Sequence, residues 1–190
     1  MIQAQEDALR FAGRIHAGLS TTQVHGDQIS GFNKFGYTAG ASVDVRRKAR
    51  SGFQFGMFLT QKGSRRVPDT KNGDYNTWSY RFTYIDLPLT RTWDTKDWRI
   101  SVGVQPSILV RGEEDFYGAG FTELTYLELL PIDLGAVATA GWKFNSLMSL
   151  EVRLSQSLMP ISERPNQPVQ RWNNFMMNMA IQWMVTFSFG

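Results

Sequence analysis

The chain contains no cysteine, which excludes a disulfide framework and any thiolate metal site. Histidine is almost as scarce: His16 and His25 are the only two, so an imidazole-rich metal centre is excluded as well. Nowhere do about 18 or more apolar residues run together, so no transmembrane helix fits and any membrane span must be built from strands. Charge of one sign is also lacking. Twenty basic and 17 acidic residues leave a formal net charge of +3, and the basic residues are scattered along the chain, so nucleic acid is not an expected partner. No linker-like stretch or composition break divides the 190 residues, which read as one domain.

What is present is a period of two. In the last segment the odd positions Phe175, Met177, Met179, Ile181, Trp183, Val185, Phe187 and Phe189 are all apolar. The even positions from Met176 to Ser188 are mixed, with Asn178, Gln182, Thr186 and Ser188 among them. A helix at 3.6 residues per turn would spread both sets around its circumference, so the alternation specifies a strand with one apolar face. The same pattern recurs over Phe11–Leu19, Phe35–Val45, Phe53–Leu59, Trp98–Val110, Ile132–Trp142 and Met148–Leu154. The segment from Thr77 to Trp93 changes phase. Its apolar row is Trp78, Tyr80, Phe82 and Tyr84, then Ile85, Leu87 and Leu89, which predicts a β-bulge near Tyr84 to Asp86. Pro88 and Pro106 fall inside predicted strands although proline donates no ladder hydrogen bond.

Eight strands result, and their connections alternate in length. Arg47–Ser51, Asp94–Asp97 and Asn145-Ser146 are short, while Val24–Asn33, Gly63–Asn76, Gly112–Leu129 and Met159–Trp172 are long and polar. That asymmetry is the one expected of a bacterial outer-membrane barrel with short periplasmic turns and periplasmic termini. Trp78, Trp93, Trp98, Trp142, Trp172 and Trp183 lie in or near strands, several at strand ends, as interfacial aromatic girdles require. A soluble ligand-binding barrel shares the period but needs an apolar interior. Here the less apolar rows carry Arg14, Asp44, Arg46, Arg81, Arg99, Asp133, Lys143, Glu151 and Arg153, and several opposing rows hold no charge at all, which favours lipid outside. The expected fold is all-β: a closed, antiparallel up-and-down transmembrane β-barrel over 9–190, with 1–8 as a periplasmic extension. Met1 to Asp7 lacks the basic and apolar parts of a secretory signal, so on this reading the native signal has been removed.

The stretch Gly13-Arg-Ile-His-Ala-Gly-Leu-Ser20, then His25-Gly26-Asp27 and Gly31-Phe-Asn-Lys34-Phe-Gly36, resembles the opening of the PorT-like outer-membrane barrel family of Bacteroidota. Gln61-Lys62-Gly63, the run from Tyr84 to Leu89, and Ile132-Asp-Leu-Gly135 follow in the family's order. The resemblance implies a closed outer-membrane barrel. It also implies a setting near the type IX secretion system, with which PorT itself is associated, rather than a particular activity.

The residues point to structure more than to catalysis. His16 beside Arg14 on the inner face, with Ser20, is the material of a lipid-acting hydrolase, but a hydrogen-bonded lumen explains it better. His25 with Asp27 and Glu114 or Asp115 matches no strong metal signature, and no cofactor is expected. Arg14, Asp44, Arg81, Arg99, Asp133, Glu151 and Arg153 form an expected lumen charge network, with Glu151 and Asp133 pairing with Arg81, Arg99 or Arg153. Eight strands leave an interior that side chains fill, so an ion-pair plug is expected rather than a pore. Phe116, Tyr117, Phe121 and Tyr126 in the loop after the fifth strand form a candidate partner-binding surface. The expected role is a non-enzymatic subunit or accessory of an envelope complex, in secretion or outer-membrane biogenesis, whose partners are outer-membrane lipid and other envelope proteins. A narrow channel or small-solute transporter is the alternative, and a lipid-acting barrel enzyme the third.

Overall fold

The computed structural model describes residues 9–27, 29, 31–48, 50–68, 71, 73, 75–125, 127–163 and 175–190. Eight long strands run up and down around a closed barrel. They are β1 (Arg10–His25), β2 (Lys34–Lys48), β3 (Ser51–Lys62), β4 (in two segments, Trp78–Asp86 and Leu89–Asp94), β5 (Trp98–Phe116), β6 (Ile132–Lys143), β7 (Met148–Ser157) and β8 (Phe175–Phe189). Each pairs antiparallel with its sequence neighbours, and the circle closes where β1 lies along β8, from Gly13 opposite Phe189 to His25 opposite Met177. Closure leaves no strand edge unpaired, which is what permits a sheet to sit in lipid. The expected extension over 1–8, Tyr126 and most of the last long connection, including Trp172, lie outside the described residues.

The alternation read from the sequence sorts the side chains as it should. Trp183, Val185, Phe187 and Phe189 point outward, while Gln182, Met184 and Thr186 between them are fully buried. The outer wall is a continuous apolar band that includes Ile15, Leu19, Val43, Met57, Val102, Val104 and Leu154. At the turn end it is ringed by Trp93, Trp98 and Trp142, with Trp98 directly opposite Trp142 across β5 and β6. Trp183, by contrast, sits within β8, opposite Leu19 and Val152.

The fourth strand corrects the sequence reading. Its even positions face inward throughout, so Tyr80, Phe82 and Tyr84 are buried in the barrel with Asp86, Pro88, Thr90 and Thr92. No reversal of facing occurs within β4. The register does shift between Thr83 and Tyr84, but the extra residue is Val110 of β5, since Thr83 faces Arg111 and Tyr84 faces Leu109. That bulge turns Arg111 outward, away from the lumen where the simple alternation places it, and its side chain is 61 % exposed. The two prolines meet at one place: β4 is interrupted at Leu87 and Pro88, and the Leu87 amide donates to the Pro106 carbonyl (2.8 Å). Pro88 accepts from Gly56 N (3.0 Å), so the break costs little hydrogen bonding.

Candidate functional site: the filled lumen and its loop-end rim

The interior is layered along the barrel axis. Nearest the turns, Asp44 of β2 and Asp94 of β4 hold three cations. Arg99 bonds Asp44 and stands 3.4 Å from Asp94, Arg46 reaches Asp44 (2.8 Å) and Asp94 (3.3 Å), and Lys143 reaches Asp94 (2.6 Å). The next layer centres on Glu151 of β7, whose carboxylate lies 2.8 Å from Arg14 Nη2. Arg14 also donates to Ser188 and Ser149 Oγ (3.0 and 3.1 Å). His16 is held between strands: Nε2 is 2.8 Å from Ser42 Oγ, Nδ1 is 2.9 Å from Thr186 Oγ1, and Glu151 Oε2 lies 3.4 Å from Nδ1. Gln54 Nε2 donates to the same Ser42 oxygen (3.0 Å).

Above this, Phe58 of β3 fills the centre, its ring 5.0 Å from that of His16 and 4.0 Å from the Arg153 guanidinium. Glycine makes the space. A Cβ on Gly40 or Gly56 would stand within 2.7 or 2.5 Å of the Phe58 ring. Higher still, Lys62 pairs with Asp86 (2.9 Å) and lies over the Tyr84 ring (4.7 Å), while Asp133 accepts from Ser157 Oγ (2.8 Å) and Asn178 Nδ2 (3.3 Å). The loop end is closed by an apolar plug of Val24, Tyr80, Phe82, Tyr84, Ile161 and Met176, with Leu124, Leu127 and Leu129 packed against it. Backbone hydrogen bonds tie the plug down: Ile161 N donates to Met176 O (2.8 Å) and Leu130 N to Ile161 O (2.7 Å).

Of the expected charge network, Arg14, Asp44, Arg99, Asp133, Glu151 and Arg153 lie buried in the lumen, and Asp44 pairs with Arg46 as facing suggests, but the partners of Glu151 and Asp133 differ from those expected. Glu151 pairs with Arg14, and Arg99 takes Asp44 and Asp94. Arg153 donates to Thr139 Oγ1 (3.3 Å), and Asp133 is held by neutral donors. Arg81 lies apart, at the loop-end rim, 3.5 Å from Glu113 and 3.4 Å over the Phe121 ring. Lys62, Asp86, Asp94, Ser42 and Gln54 were not singled out by the sequence reading. Their inward parity is the signal that finds them, whereas their partners depend on register.

Ser20 does not meet His16; its hydroxyl donates to Gln61 O (2.9 Å). Asp27 accepts from Ile29 N (2.8 Å), Glu114 from Thr125 N (3.2 Å) and Asp115 from Gly120 N (3.2 Å), and no three His, Asp or Glu side chains among the described residues are placed to hold a metal. The aromatic loop is partly structural. β5 continues to Phe116, which packs on Trp78 (5.0 Å), Phe121 sits under Arg81, and of the described loop aromatics Tyr117 alone projects, 77 % exposed at a left-handed φ of 64°.

An up-and-down barrel with an apolar outer wall and a polar, occupied interior is a membrane β-barrel. The chain belongs to the outer membrane protein beta-barrel domain family, whose model matches residues 3–163. Among solved structures it is similar to Ail, the attachment invasion locus protein of Yersinia pestis, in complex with the heparin analogue sucrose octasulfate. That likeness has a TM-score of 0.55 at 9 % identity over 95 % of this chain and 99 % of that one. It is also similar to neisserial surface protein A, with a TM-score of 0.52 at 10 % identity over 96 % and 99 % of the two chains. At such identities the likeness is one of fold. No curated protein matches the chain by sequence.

Proposed function

We propose that this barrel is a non-conducting, non-enzymatic anchor in the outer membrane, a subunit or accessory of an envelope complex, with its short turns and termini in the periplasm and its long loops outside. The observation that carries this reading is the occupied lumen. Arg153, Phe58, Met184, Gln182 and Glu151 are at most 2 % exposed in mid-barrel, and the plug around Phe82 and Ile161 lies above them. A solute path would have to displace both layers. The His16, Ser42 and Glu151 contacts resemble a hydrolase relay in order, yet Ser42 Oγ is already engaged by Gln54 and the group lies inside the wall, where an acyl substrate has no approach. Resemblance to PorT-like barrels supports secretion, including type IX secretion, as the setting.

Mild-detergent isolation from the native envelope, with a tag inserted after Pro160, tests the reading. A stoichiometric envelope partner is the expected result. Recovery only as a free barrel contradicts the subunit role.

A further inference from the structure

At the loop-end rim a cavity of about 360 Å³ opens between β2 and the top of β4, lined in part by Lys34, Arg65, Trp78, Asp115 and Phe121. Its electrostatics are unbalanced. Lys34 is only 8 % exposed, and neither it nor Arg65 has an ion pair among the described residues. Lys34 Nζ stands 5.2 Å from the centroid of the Phe121 ring, whose other cation is Arg81 at 3.4 Å. Arg81 leans on Glu113 at 3.5 Å, which leaves its buried Nε without a hydrogen-bond partner, and the shielded indole Nε1 of Trp78 has none either. Buried donors are almost always satisfied, and like charges gather only where something opposes them. Lys34 and Arg65, two cations without an ion pair among the described residues, and the unpartnered indole N–H of Trp78 line one concave space and call for an oxyanion.

The rest of the lining narrows the ligand. Trp78 and Phe121 offer aromatic surface to the C–H face of a sugar ring. Asp115 is an acceptor suited to hydroxyls and unfavourable to a bare phosphate. We infer that this rim pocket binds a phosphorylated saccharide, the phosphate held by Lys34 and Arg65 and the sugar by Trp78, Phe121 and Asp115. A soluble sugar phosphate and the headgroup of a membrane glycolipid share this chemistry. The inference uses the proposed orientation only in making the second source available at the loop end.

The test is calorimetric titration of the folded barrel in detergent with a phosphorylated disaccharide, the same disaccharide without phosphate, and inorganic phosphate. This assay needs neither a partner protein nor an orientation, so its failure would leave the anchor reading standing. The phosphorylated sugar is expected to bind one to one, more weakly as salt shortens the screening length. Arg65→Gln, at an exposed position, should weaken binding about tenfold, the scale of one charge-assisted hydrogen bond, and Lys34→Gln with Arg65→Gln further. Heat-modifiable migration confirms that each variant is folded. No binding, equal binding of the unphosphorylated sugar, equal binding of inorganic phosphate, or an unchanged affinity in Arg65→Gln would overturn the inference. Reconstitution into vesicles carrying the same headgroup on lipid identifies the source. Sites already occupied there assign the glycolipid, sites still open assign the soluble sugar, and both results uphold the pocket.

Discussion

Arg153 lies across the ring of Phe58, its guanidinium carbon 4.0 Å from the ring centroid, and both side chains are fully buried in mid-barrel. The contact joins β7 to β3 across the lumen and fills the width that eight strands leave. His16 packs on the same ring at 5.0 Å, so one phenyl group connects the Glu151 layer below to the Lys62 and Asp86 layer above.

Removal of that ring leaves a void that rigid strands cannot collapse into. Phe58→Ala is expected to cost about 3–5 kcal/mol, read as a lower urea midpoint for the barrel refolded in detergent. A shift close to zero would mean the lumen is looser than this packing.

The Arg14–Glu151 contact gives a second expectation. Glu151→Gln leaves Arg14 buried without its counter-charge and should destabilise by about 3–5 kcal/mol. Adding Arg14→Met should recover most of that loss. A double-mutant cycle in urea measures the coupling, and simple additivity of the two changes would show that the pair is incidental.

Neighbours on β8 separate the two faces. Ile181 belongs to the outward row, so Ile181→Arg should cost about 2–4 kcal/mol in lipid vesicles. Gln182 is fully buried, its amide 3.5 Å from Thr60 Oγ1, so Gln182→Arg should also destabilise, by about 1–3 kcal/mol through overpacking. The discriminating variants are apolar. Ile181→Leu should be neutral, and Gln182→Leu should lose stability, because only the second site offers a polar partner.

Gly40 is expected to tolerate no side chain. A Cβ there would stand 2.3 Å from the Met57 carbonyl oxygen, a backbone atom fixed in the β2–β3 ladder. Gly40→Ala should therefore lower refolding yield and cost about 1–3 kcal/mol, as seen in the unfolded fraction on unheated gels.

The fold was legible because a strand wall between lipid and a polar lumen imposes chemistry at every second residue, as in Trp183 to Phe189. Legibility failed where both sides accept the same residue type. Tyr80, Phe82 and Tyr84 suit lipid and suit a barrel plug equally well, and only pairing with β5 shows that they point inward. The Val110 bulge was hidden because valine next to Arg111 carries no mark of an inserted residue. The lumen charges were legible as inward groups, but their partners were not. Arg14 of β1 reaches Glu151 of β7 past β8, a contact set by register and barrel radius rather than by spacing. At the rim, Lys34 gains significance only when Arg65, Arg81 and Phe121, distant in sequence, converge on it.

The most direct test of the central claim, that the lumen is filled and closed, is single-channel recording of the folded barrel in a planar bilayer. Insertion without conductance steps is the predicted result. Discrete, reproducible openings in the unmodified protein would contradict it.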